Sequence, residues 1–287
     1  MNTYVVRFMG ILLCAMPAMA RAQPADSQKP PPPSQKIPDL RQVKPIIVCG
    51  GCDQPFDPAT HKDVLETLVA SPYMSQLRKA LYMQDVVYQF ASKAHFDNCD
   101  FDNAIAYVGE RLDEVDRHVE AARRAKDSGD RALVESTVKQ AFFALGQALH
   151  GIQDFYAHTN YVELTVGQAA TSKDIPIVSP WQDAGKQRIT ALRDQGLVSG
   201  YVFWGFPQKC PAGTPSHAAL AKDKATTPSG AVKVPHLQNR NRYQIAAQLA
   251  RADSQALIDH AFLRWPLLKE VNGQYAAFEV LVDRRGL

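Results

Sequence analysis

Residues 141–161 read AFFALGQALHGIQDFYAHTNY, and Asp154 is their only formally charged side chain. It stands four residues after His150 and four before His158, a helical spacing. At about 100° per residue, Val138, Ala141, Phe142, Leu145, Leu149, Ile152 and Tyr156 share one stripe, with His150, Asp154 and His158 opposite. A surface helix would carry Lys and Glu on that opposite face, but this one carries Phe143, Gly146, Gly151 and Ala157. A helix that is apolar or small all round is buried all round. The chain must therefore fold around this segment.

Burying a carboxylate is costly unless it is paired, hydrogen-bonded or metal-bound. No Lys or Arg lies on this helix face to pair with Asp154. Imidazole and carboxylate at i, i+4 can reach one cation from a single face, and the donor types suit zinc. His150 and His158 lie about 12 Å apart along the helix axis, too far to share one ion. More than one metal is expected, with Asp154 between them. The plainer reading, two satisfied core histidines and a structural Asp, fits a lone histidine better than this triplet.

The run LGQALHGIQDFYAHTNYVEL resembles a segment of the HET-C family: Leu-Gly, Leu-His, Gln-Asp-Phe, Ala-His, Thr-Asn, an aromatic residue and Glu-Leu. A second block, Ala94-His95-Phe96-Asp97-Asn98-Cys99, is similar to a His-Phe-Asp-Asn-Cys block that precedes the main motif in that family. Lys222-Asp223 and the helix after it are a weaker match to its C-terminal part. The resemblance spans roughly residues 49–260. It implies an all-helical scaffold around a zinc cluster, related to the zinc-dependent phospholipase C and single-strand nuclease fold. His95, Asp97, His150, Asp154 and His158 would be metal ligands, with Asp154 bridging and Asp97 or His95 orienting water. Asn160 and Glu163 are expected around them, since metal-bound imidazoles need an acceptor on the other nitrogen. The best-known phospholipases of that fold use their mature N-terminal residue as a ligand, whereas this chain begins with a proline-rich stretch. Either His236 or His217 takes that place, or one metal is absent, so two or three zinc ions are expected.

Residues 1–22 combine one early Arg, an apolar run and small residues at Ala18, Ala20 and Ala22, which reads as a cleaved export signal. The apolar run is short of the ~20 residues that span a bilayer. A periplasmic or secreted location follows. Removing Arg7 and Arg21, with no acid lost, lowers the formal charge from +3 to +1, so no polyanion-binding surface is expected and nucleic-acid scaffold binding is disfavoured. Residues 23–44, with four consecutive prolines, read as an extended tether. Export also bears on the remaining cysteines, Cys49, Cys52, Cys99 and Cys210. An even number in an oxidising compartment favours disulfides. Of three pairings, Cys49 with Cys52 suits a tight local bridge around Gly50-Gly51, leaving Cys99 for Cys210.

Residues 45–287 can bury one core, and helical periodicity dominates them. Helices are expected at 71–90, opened by Ser71-Pro72, and at 103–126, where His118 reads as solvated. Further helices are expected at 181–193 and 242–265. His260, near the end of the last, could be a dipole partner or a ligand. Tyr201, Phe203, Trp204 and Phe206 form a dense aromatic cluster, either packed on the core or touching a membrane surface. The polar stretch 211–235 is long, holds His217 and Asp223, and leads to His236. Long ordered loops are commonly functional.

Two classes of function fit. One is a secreted zinc-dependent phosphodiesterase, foremost a phospholipase C releasing diacylglycerol and a phosphorylated head group, with Asp97 and Asp154 catalytic and a single-strand nuclease as the alternative. The other is a non-catalytic, toxin-like protein that binds a membrane or a partner.

Overall fold

The computed structural model describes residues 72–271. The expected export signal, the tether and the Cys49–Cys52 bridge fall outside them. The described residues are predominantly helical: α1 (Pro72–Val87), α2 (Ser92–His95), α3 (Phe101–Asp127), α4 (Arg131–His158), α5 (Tyr161–Thr165), α6 (Asp183–Asp194), α7 (His217–Leu220), α8 (Arg242–Arg264) and α9 (Pro266–Val271). A short antiparallel ribbon pairs β1 (Lys233–Val234) with β2 (Arg240–Asn241). The all-helical expectation holds.

Local chemistry explains the main boundaries. Between α3 and α4, Gly129 takes φ +77°, a left-handed value that glycine adopts without steric cost. The Asp130 carboxylate then caps α4 by accepting from Leu133 N at 3.0 Å. Asn241 and Gln244 cap the start of α8 reciprocally. At the other end of α4 the helix stops at His158, three residues inside the 141–161 stretch. Thr159 turns to extended geometry, its hydroxyl donating to Phe155 O and accepting from Tyr161 N. The first helix also ends early, at Val87 rather than 90.

Helix α4 is the axis of the fold and packs against α1, α3 and α8. From Ala144 to His158 every residue is buried, which bears out the expectation of all-round burial for that half. Phe142, Leu145, Leu149, Ile152 and Phe155 lie in the main apolar core with Val108, Val115, Leu249 and Leu257. The crossing with α1 is close at Gly146, where a Cβ would come within 2.4 Å of Leu77 O. No larger residue fits there without moving a helix.

A second buried carboxylate, Asp253 of α8, lies against this core. It accepts hydrogen bonds from the Tyr156 hydroxyl (2.6 Å), Ser179 N and Oγ (both 2.8 Å) and Trp181 Nε1 (3.3 Å). These neutral donors fasten the irregular 175–181 segment to α4 and α8. Burial and the Asp253 charge together push the Tyr156 phenol well above its ordinary pKa, so it stays a donor.

Candidate metal centre

Helix α4 presents His150, Asp154 and His158, fully buried, on one side and one turn apart. Facing them are the end of α1, which carries Asp85, the last residue of α2, His95, and the turn after it, which carries Asp97. That turn is unusual. Phe96, Asn98 and Cys99 all have positive φ, at 52°, 55° and 54°. Non-glycine residues in this region cost about 1–3 kcal/mol each and persist only where their surroundings enforce them. Here the Phe96 ring packs edge-on against Phe155. Asn98 Oδ1 accepts from Val202 N at 2.6 Å, while its Nδ2 donates to Ser92 Oγ and Val202 O. The Cys99–Cys210 disulfide, with Cα atoms 4.9 Å apart, ties the same turn to the 199–210 loop, as the cysteine spacing had suggested.

Two groups of donors result, Asp85–His95–His150 and Asp97–His158–His217. In the first, His95 Nδ1 is 3.0 Å from His150 Nε2, and Asp85 Oδ1 is 3.5 Å from the same nitrogen. In the second, His158 Nδ1 donates to the backbone oxygen of His95 at 2.9 Å, and His217 Nδ1 lies 3.0 Å from Asp97 Oδ1. Those contacts turn the Nε2 atoms of His158 and His217 toward Asp223, at 3.3 and 3.5 Å from its two oxygens. Asp154 joins the groups. Its Oδ2 is 2.9 Å from His95 Nδ1 and 2.8 Å from His150 Nε2, while its Oδ1 faces His158 Nε2 at 3.9 Å.

The first group gives a test of fit. His95 Nδ1, His150 Nε2 and Asp154 Oδ2 form a triangle with edges of 2.8–3.0 Å. A ring nitrogen bears either a proton or a lone pair, so with an ionised carboxylate no protonation state makes all three edges hydrogen bonds. A tetrahedral zinc with ligands at about 2.0–2.1 Å has ligand–ligand edges of about 3.3 Å. One small cation thus satisfies three atoms that protons cannot. The second group shows the arrangement metal-binding imidazoles adopt, each with its other nitrogen fixed by a carbonyl or carboxylate. His95 Nε2 is buried without a hydrogen-bond partner. Both groups could hold a metal.

Charge points the same way. Asp85, Asp97, Asp154 and Asp223 surround four imidazoles. Lys222, next to Asp223 and fully buried, turns its ammonium to Thr159 O, Leu220 O and Glu163 instead. Burial opposes ionisation of Asp154, yet the adjoining His150 and His158 hold its carboxyl well below the usual range. Burial likewise opposes charge on His158, but Asp154, Asp97 and Asp223 outweigh it and push the imidazole up to about 9. His217 is raised in the same way by Asp97 and Asp223, and Asp223 is lowered by His158 and His217. Without metal the pocket balances its charge with imidazolium protons, which a divalent cation would displace.

Of the expected ligands, His95, Asp97, His150, Asp154 and His158 converge. His236 does not: it is exposed, and its Nε2 lies 2.8 Å from Val166 O. His217 takes the place left open for either. Asn160 and Glu163 do not contact the imidazoles. Asn160 bridges Val198 N and Gly196 O, and Glu163 gathers Lys222, Ser229 and Arg242. Glu163 acts one layer further out, holding the buried ammonium beside Asp223. His118 is partly buried beside Glu114 rather than solvated, and burial lowers its pKa despite that carboxylate. His260 lies against Trp181, with the two rings tilted by 44°. Two donors escaped the sequence reading as ligands. Asp85 continues the Leu77–Leu81 stripe of α1 at the same four-residue step, and an acid in that register was the available signal. Asp223 lies in a stretch without periodicity.

Residues 71–179 match the family model described as Het-C, heterokaryon incompatibility protein Het-C. The resemblance read from the His-Phe-Asp-Asn-Cys block and the central helix therefore stands for that segment. No curated protein and no solved structure matches the chain. The Het-C segment holds Asp85, His95, Asp97, His150, Asp154 and His158, which is all of the first group and most of the second. His217 and Asp223 come from beyond it.

Proposed function

We infer that the two groups hold zinc and that the centre hydrolyses a phosphodiester, a phospholipid before a nucleic acid, in a protein exported to the periplasm or the exterior. The observation that carries this reading is the position of Asp154, fully buried, with one oxygen on each donor group. Nitrogen and carboxylate donors favour zinc over calcium or magnesium. Bound there, zinc would supply Lewis acidity toward a phosphate oxygen and lower the pKa of water near it. The protein's own part is positioning and proton handling. Asp154 fixes the spacing between the groups. The His95 carbonyl and the Asp97 carboxylate fix the tautomers of His158 and His217. Asp97 lies at the less buried edge of the second group, where its carboxylate can accept a proton from attacking water. The +1 charge expected after signal removal offers little to a polynucleotide, which favours the lipid.

Metal analysis of the purified chain, followed by a phosphodiester panel, tests the reading. At least two equivalents of zinc are expected, with diacylglycerol and a phosphorylated head group as products and loss of activity on chelation. Cleavage of single-stranded nucleic acid with phospholipid untouched would reassign the substrate. A zinc-loaded protein inert to both would leave only the non-catalytic reading. His118→Ala serves as a control and should leave turnover unchanged.

A further inference from the structure

Five of the eight large hydrophobic side chains exposed among the described residues fall in two strips, Val87 and Phe90 in one, Tyr201, Phe203 and Phe206 in the other. The strips are neighbours in space. Phe206 N donates to Phe90 O at 3.1 Å, and Ser92 N donates to Phe206 O at 3.2 Å. Phe203 and Phe206 are 68% and 67% exposed, far more than large aromatics are in a loop packed on a core. Trp204 stands edge-on to Phe203, with ring centroids 4.7 Å apart.

The patch carries almost no charge. Residues 86–91 contain none, and residues 201–216 contain one, the cation Lys209, in a chain that is 21% charged. The patch also adjoins the metal centre. Asp85 lies two residues before Val87, Asn98 grips Val202 through both backbone groups, and His217 N donates to Tyr201 O at 2.8 Å. His150, Asp154, His158 and Asp223 have no exposure, whereas Asp85, Asp97 and His217 each keep a little. Each of those three is joined to a strip by a short stretch of chain or a hydrogen-bonded neighbour, Asp85 to Val87, Asp97 through Asn98 to Val202 and His217 to Tyr201, so the solvent-touched donors of the centre border the patch.

The geometry points to a lipid-bilayer surface as the partner of this patch, with Phe90, Phe203 and Phe206 entering the interface beside the opening of the metal centre. Aromatic side chains are favoured at the depth of the head groups, and the one cation of the patch, Lys209, is already paired with the buried Asp100 at 2.8 Å, which leaves the patch close to neutral. Among the described residues no helix is long and apolar enough to cross a membrane, so contact through loops is the mode available to them. This inference rests on the phospholipid reading of the centre, whose substrate would have to be reached in an aggregated phase.

Binding can be measured apart from hydrolysis. The full exported chain is sedimented with vesicles of a phosphonate analogue of phosphatidylcholine, which cannot be cleaved, with and without an anionic lipid, while tryptophan emission is followed. The wild type should co-sediment with a blue-shifted emission. The double variant Phe203→Ser/Phe206→Ser should bind at least tenfold more weakly, while cleaving a short water-soluble phosphocholine diester at the wild-type rate and retaining the Cys99–Cys210 bridge. A wild type that ignores both vesicle types, a folded variant that binds as well as wild type, or a variant that loses only self-association would each overturn the membrane assignment. If vesicles are bound through the patch but no soluble diester is cleaved, the docking inference stands and the phosphodiesterase reading falls.

Discussion

Asp154 of α4 and Asp253 of α8 are both carboxylates without exposure, and their surroundings could hardly differ more. Asp253 receives hydrogen bonds from a phenol, a hydroxyl, a backbone amide and an indole, all neutral donors. Its charge is solvated by the protein, and nothing remains for it to bind. Asp154 is surrounded by imidazoles, which can meet it as donors only while they are protonated and which become ligands when they are not. Burial of an acid therefore does not mark a site. What marks it is whether the partners are fixed donors or groups that can exchange a proton for a metal.

The largest expected effect separates the two. Asp154→Asn should remove zinc from both groups, lowering content by more than one ligand's share and turnover by orders of magnitude, since it faces both. Metal analysis and circular dichroism should find a folded, metal-poor protein; full zinc content would refute the bridging role. Breaking the disulfide with Cys99→Ala/Cys210→Ala should cost about 2–5 kcal/mol in unfolding free energy. It should also weaken the second group more than the first, because only the second depends on the 199–223 segment. Titration with a chelator should then release metal in two steps. Asp253→Asn leaves an amide where the Ser179 and Trp181 donors converge, so denaturant unfolding should show a loss of about 1–3 kcal/mol. Zinc per folded molecule should not change, and a fall would mean the two carboxylates are coupled.

The smallest effect is in pH. His158 is raised from its ordinary 6.5 to about 9, so in the metal-free chain its stabilisation is complete below about pH 6.5 and is lost as pH climbs through about 9. Asp154 and Asp223 are depressed, so theirs is present above the ordinary 3.8 and is lost only as pH falls below it. Thermal melts of the metal-free protein should therefore peak between roughly pH 4 and 6.5. With zinc the maximum should move to higher pH, because binding competes with those same protons. A metal-free maximum near pH 8 would show that the imidazolium pairs do not form.

How far the sequence reached follows from the same contrast. Periodicity made the helices legible to within a few residues, and it exposed His150, Asp154 and His158 because a carboxylate between two imidazoles at four-residue steps stands out on a charge-poor helix. Cysteine parity left three pairings, and the fit of Cys49 to Cys52 as a local bridge left Cys99 for Cys210. Asp223 and the true role of Glu163 were hidden, since both depend on where residues 199–242 return, and loop residues carry no register. His236 was named on residue type alone, which says nothing of direction. Asp85 was within reach, but an acid near a helix end looks solvated until its stripe is followed.

The Asp97–His217 contact joins residues 120 apart in sequence, whereas His95 and His150 are 55 apart. During synthesis every donor of the first group, together with Asp154, leaves the ribosome before His217 has been made. The donors of the first group are thus complete early in the chain, whereas the second group waits for a segment that returns from beyond residue 199.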